Sequence, residues 1–149
     1  MFEIELKNSD EMTIKAKERV VNINVAQSTV SSDLKVGTIG GAGEFEIGDI
    51  TIVGTSLKEG GIMYRVDVDG IKIGIVGNTA KTEDLDNLGP VDILGTSNPK
   101  TVSIVEPKIV IPMGNMDFAE LKGEVKAEKR LKVKSATSLP TMLEIWRLG

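Results

Sequence analysis

The stretch from Tyr64 to Ile75 constrains the fold of this chain more than any other feature. Tyr64, Val66 and Val68 alternate with polar residues, Asp69-Gly70 follows, and Ile71, Ile73 and Ile75 resume the alternation. A period of two is that of a half-buried strand. Asp-Gly suits a type I′ turn, in which both central residues need positive φ. A two-residue loop pairs Val68 with Ile71, Val66 with Ile73, and Tyr64 with Ile75. Directly opposed residues share a face, so all six fall on one side of the sheet. Arg65, Asp67, Asp69 and Lys72 then face away.

The same period recurs along the chain. Phe2, Ile4 and Leu6 alternate with Glu3 and Glu5, and Met12, Ile14 and Ala16 repeat the pattern. The run from Arg19 to Val25 predicts a third strand. Gln27 to Lys35 is Ser-rich and aperiodic and reads as loop. Phe45 and Ile47, then Gly48-Asp49, then Ile50 and Ile52 form a second hairpin. Thr82 to Gly89 reads as a short helix, with Thr82 as its cap, acids in its first turn and Gly89 at its end. Val91 to Leu94 is a short strand. Asn98-Pro99 supplies a cap with Pro at the first helical position, and Pro107 keeps that helix brief. Lys108 to Pro112 is a buried strand by its apolar run. Met116 to Lys122 reads as another short helix, and Leu131 to Val133 and Met142 to Leu148 as closing strands. About a dozen short strands and two or three small helices result, within one domain spanning residues 1–149.

Composition bounds the function. Hydrophobic residues at 40% and charged residues at 27% are ordinary for a globular chain. Aromatics are only 3%, so the core must be aliphatic. The net charge of −4 argues against a nucleic-acid or anionic-membrane partner. Residues 119–149 carry 7 basic and 4 acidic side chains, a basic tail that reads as solvated surface. No apolar run approaches the roughly 20 residues of a membrane span. The N-terminus, apolar residues alternating with acidic ones, is not a signal peptide. A cytoplasmic location is the expectation.

Histidine and cysteine are both absent. No imidazole can act as base, shuttle or ligand, and no thiolate chemistry or disulfide is available. Structural zinc sites, which favour Cys and His, are disfavoured on the same ground. Glu83, Asp84 and Asp86 could hold Mg²⁺ or Ca²⁺ through oxygens, but helix N-terminal acids explain them. The segment from Gly37 to Gly43 holds four glycines and permits tight turns. It lacks the Lys-Ser/Thr of a phosphate-binding loop, and the strand-like Glu44-Phe-Glu-Ile follows it.

Several segments resemble one family. Gly41-Ala-Gly-Glu-Phe-Glu46, the Tyr64–Ile73 hairpin, Leu85-Asp-Asn-Leu-Gly-Pro-Val-Asp-Ile-Leu94 and Val105-Glu-Pro-Lys-Ile-Val-Ile-Pro-Met113 are similar to stretches of metallo-β-lactamase-fold hydrolases. The branch resembled is the one like ascorbate-6-phosphate lactonase. Leu131-Lys-Val133, Leu139-Pro140, Ile145 and Leu148 resemble its closing strands. The resemblance implies an α+β, strand-dominated chain, with two face-packed sheets from a reduced αββα sandwich and two or three short helices. It also implies a lost metal centre. The family's His-x-His-x-Asp-His loop has no counterpart in Gln27–Lys35. Asn78 stands after Gly77, where the family has a bridging Asp. Gly114 stands after Ile-Pro-Met, where the family has a histidine. Asn78, Thr79, Gly114, Asn115 and Glu44 are thus the expected vestigial site, a shallow polar depression with no metal, cofactor or catalytic residue.

Two functions compete. The first is a non-catalytic relative, a binding or self-association module, whose lost helices leave sheet faces that must be polar or become an interface. A homodimer is expected on this reading, with Trp146 as its anchor or else as a plug in its own core; the ligand is open. The second is a residual hydrolase without the di-zinc site, walled by Glu44, Asn78, Thr79 and Asn115.

Overall fold

The computed structural model describes residues 1–33 and 39–149. The last residues of the Gln27–Lys35 loop and the first of the Gly37–Gly43 segment lie outside them. Among the described residues the strands are β1 (Phe2–Asn8), β2 (Glu11–Ala16), β3 (Arg19–Asn24), β4 (Thr29–Ser32), β5 (Ile39–Gly40), β6 (Gly43–Ile47), β7 (Ile50–Ser56), β8 (Ile62–Val68), β9 (Ile71–Val76), β10 (Ile93–Thr96), β11 (Ile109–Pro112), β12 (Glu124–Glu128), β13 (Leu131–Val133) and β14 (Glu144–Leu148). The helices are α1 (Thr82–Leu85) and α2 (Pro99–Val105), and Ala136–Ser138 make one 3₁₀ turn.

Two sheets result. One is six-stranded, in the order β13-β1-β2-β3-β4-β5; the other is eight-stranded, in the order β12-β14-β11-β10-β9-β8-β7-β6. The smaller sheet is antiparallel throughout. In the larger, β6 to β9 are antiparallel and β9, β10, β11, β14 and β12 run parallel.

The hairpin register is the one the alternation dictates: Tyr64 pairs with Ile75, Val66 with Ile73, and Val68 with Ile71. All six side chains are buried, and Asp69 and Gly70 both have positive φ, at 52° and 76°. They join Phe2, Ile4, Met12, Ile14, Val21 and Ile23 of the smaller sheet in one core between the layers. A second core lies on the outer face of the larger sheet. There Val76, Leu94 and Val110 pack against Leu85 and Leu88 around α1 and Val102 of α2. β11 shows why the parallel strands read as continuous apolar runs: Ile109 and Ile111 enter the inter-sheet core and Val110 the outer one.

Among the described residues no helix covers the outer face of the smaller sheet, which is polar. Glu3 lies between Lys15 and Lys132, and Glu5 beside Thr13. Arg130 reaches Glu5 at 3.3 Å and Glu3 at 3.6 Å, and Lys15 reaches Glu5 at 3.6 Å. Thr13 Oγ1 donates to Asn22 Oδ1 at 2.7 Å. Here the missing helical cover is replaced by charge.

At one point the two layers come unusually close. A Cβ added to Gly95 on β10 would lie 2.6 Å from Met12 Cε and 3.0 Å from Met113 Sδ. A side chain at that position would have to displace the ends of the two methionine side chains that fill the space.

Several expectations are corrected. Gln27–Lys35 is not simply loop: β4 pairs Val30 with Ile23 and buries Val30. A single apolar residue in a Ser/Thr run shows no period, so the strand was invisible. Lys81, not Thr82, is the N-cap of α1. Its backbone N–H donates to Asp84 Oδ2 at 2.8 Å, while Asp84 Oδ1 accepts from Lys58 N at 3.1 Å. Asp84 is buried, and each of its carboxylate oxygens accepts one bond of this latch. The strand expected at Val91–Leu94 is displaced two residues, to Ile93–Thr96. Met116–Lys122 forms one isolated turn, closed by Leu121 N donating to Phe118 O at 3.1 Å, instead of a helix. Asp117 Oδ1 takes the Ala119 N–H at 3.0 Å, a local bond that competes with helix formation.

The Tyr64 hydroxyl is buried, with no partner among the described residues, and burial pushes its pKa up to about 12. Below pH 10 the phenol is neutral in both folded and unfolded chains. Between pH 10 and about 12 only the unfolded chain ionises, so stability should fall as pH rises through that window. Tyr64 is the sole tyrosine, so tyrosinate absorbance reports it directly. A midpoint near 10 in the folded protein would show that water reaches the ring. Ile73→Ala should cost about 2–5 kcal/mol in denaturant unfolding. Asp84→Ala, which strands two backbone donors, should cost about 2–3 kcal/mol.

Candidate functional site

The parallel strands place the site. Thr96 is level with Val76 on one side and with Pro112 on the other, so β9, β10 and β11 end together. Just past these carboxyl ends come Gly77-Asn78-Thr79, Ser97 and Met113-Gly114-Asn115. Chain leaving parallel strands at one level is where such sheets bind ligands.

Polar bonds knit these ends together. Ser97 Oγ donates to Asn78 Oδ1 at 2.8 Å. Gly114 sits beside this pair: a Cβ on it would lie 3.8 Å from Ser97 Cβ. Its N–H donates to Ser9 O at 3.1 Å, which ties the β1–β2 turn of the other sheet to the same point. Thr79 Oγ1 donates to Gly60 O at 3.2 Å, and Ser28 Oγ accepts the Ile62 N–H at 3.1 Å. The result is an open depression of about 390 Å³ between the sheet ends, with Asp10, Ser28, Glu59, Asn78, Thr79 and Ser97 among its walls.

Three of the five expected residues thus come together: Asn78 and Thr79 line the depression, and Gly114 adjoins it. Asn115 follows Gly114, exposed, and is not among the lining residues. Glu44 lies apart on β6, three strands from β9 across the sheet. At the usual strand spacing that is about 14 Å. Asp10, Ser28, Glu59 and Ser97 were not foreseen. Ser97, one residue beyond a strand that ends level with β9, was the one whose position carried a signal.

The donors present do not form a zinc site. Two carboxylates face the depression, and Glu59 is 3.4 Å from Lys81 Nζ. Among the described residues no three Asp or Glu side chains converge.

No family model matches the chain, and no curated protein matches it. Its architecture does have a counterpart among solved structures. It is similar to the 2.00 Å crystal structure of a putative Zn-dependent hydrolase of the metallo-beta-lactamase superfamily from Thermotoga maritima, with a TM-score of 0.71 over 100% of both chains. The chain has the metallo-β-lactamase fold. At 15% identity the likeness extends to the fold alone. In this instance of the metallo-β-lactamase fold, the larger sheet has a helix-covered outer side, and among the described residues no helix covers the smaller sheet.

The depression tolerates little backbone change. Gly114 has φ of 59°, so Gly114→Ala should lower stability by about 1 kcal/mol, measured by thermal or denaturant unfolding.

Proposed function

We propose that this chain is a non-catalytic member of the metallo-β-lactamase superfamily, a cytoplasmic binding or self-association domain spanning residues 1–149. The observation that carries this reading is chemical. With no histidine or cysteine in the chain, the strand ends carry Asn78, Ser97 and Gly114, and two of these spend their polar groups on each other. A neutral amide, a hydroxyl and a glycine offer no anionic or imidazole donor to zinc. They also offer no base to activate water. The resemblance of Val105–Met113 to the lactonase-like branch supports descent from a hydrolase whose ligand set has been replaced.

The second reading, a residual hydrolase, has one observation in its favour: Asp10 and Glu59 face the depression. Asp10 would then be the general base, because Glu59 already has Lys81 beside it.

Metal analysis of dialysed protein should find zinc far below about one per chain. Stoichiometric zinc would overturn the first reading. So would hydrolysis of lactone, ester or phosphodiester substrates that Asp10→Asn abolishes while the fold is kept.

A further inference from the structure

The free edge of the eight-stranded sheet carries a charge pattern that is its own complement. Among the described residues β12 pairs only with β14. The Glu124 N–H donates to Leu143 O at 3.3 Å, and the Glu128 carbonyl accepts from Gly149 N at 3.0 Å. Alternate residues of an extended strand turn their backbone groups to opposite sides. Gly123, Val125 and Ala127 therefore present theirs outward. Glu124, Val125, Ala127 and Glu128 are exposed, Val125 at 51%. Proline and bulges, two common protections of a free edge, are both absent here.

Consider a second copy laid antiparallel to this edge, with a two-fold axis at Val125. Lys122 then faces the partner's Glu128, and Glu124 faces the partner's Lys126; both pairs repeat across the axis. The outward backbone groups of Val125 meet those of their own copy as a hydrogen-bonded pair. Glu124 and Lys126 fall in the non-hydrogen-bonded positions, where side chains approach most closely. All the charges lie on one face, and Gly123, Val125 and Ala127 make an uncharged opposite face. Moving the axis to Lys126 sets Glu124 against Glu128 and Lys126 against itself, so charge favours the first register. Within the monomer Lys126 is already held in place, 3.3 Å from Glu144 and 5.3 Å above the Trp146 ring.

We propose that two copies of this chain dimerise edge to edge through Lys122–Glu128, joining their larger sheets into one. This gives the self-association half of the functional reading a surface. The absence of zinc chemistry does not depend on it, and metal analysis tests that separately.

Sedimentation velocity from about 1 to about 500 μM, the range in which small interfaces associate, tests the proposal. The wild-type chain should move from 16.0 kDa toward twice that mass. Val125→Pro removes an outward N–H without touching the β14 ladder and should remain monomeric. Glu124→Lys alone and Lys126→Glu alone set like charges opposite and should each be monomeric. An equimolar mixture of those two variants, and the double variant carrying both, should dimerise again. A wild-type monomer throughout overturns the proposal. So does a dimer that survives Val125→Pro, or a failure of the mixture to restore association. Should Val125→Pro misfold, the charge variants and their mixture decide the question alone.

Discussion

The fold depends on burying both faces of the parallel strands β9, β10 and β11. Their backbones are satisfied by the ladder, but their side chains are apolar on both sides and need two covers. One cover is the smaller sheet, which brings Phe2, Ile4, Met12 and Ile14 against Ile73, Ile93 and Ile109. The other is the α1 and α2 layer, which brings Leu85, Leu88 and Val102 against Val76 and Val110. The smaller sheet has only one such obligation. Its outer side is therefore free to carry Glu3, Glu5, Lys15 and Lys132, and among the described residues no fourth layer covers it.

This asymmetry also bears on Trp146. The half-buried ring packs against the inter-sheet core at the sheet's end and donates through Nε1 to Glu144 at 3.0 Å. It closes its own sandwich, the simpler of the two roles expected of it. The exposed apolar residue at that edge is instead Val125, from a strand with no apolar periodicity.

What could be read from the sequence follows from how each element is stabilised. Strands that contribute alternating apolar residues to the core, such as Phe2–Leu6 and Tyr64–Ile75, announce both their existence and their register. β12 and β4 do not, because an edge strand of Glu, Val, Lys and Ala, or a Ser/Thr strand with one valine, is held by backbone pairing that leaves no mark on composition. The helix expected at Met116–Lys122 failed for the converse reason: its composition allowed a helix, but Asp117 bonds locally. At the site, Asn78, Thr79 and Gly114 could be placed through the resemblance of the segments that precede them to the family's ligand-bearing stretches. Asp10, Ser28 and Glu59 come from three separate loops, and only tertiary structure brings them to one depression.

Gly95 gives that depression a particular origin. It lies one residue before Thr96, which leads directly to Ser97 on the wall, while Met12 lies two residues after Asp10 on the facing wall. The missing side chain lets the methionine of one layer rest on the backbone of the other directly beneath the opening. Seen this way, the glycine beneath the depression lets two methionine side chains pack against the β10 backbone. A change that spread the layers there would reshape the surface available to any ligand without altering a single residue that touches it.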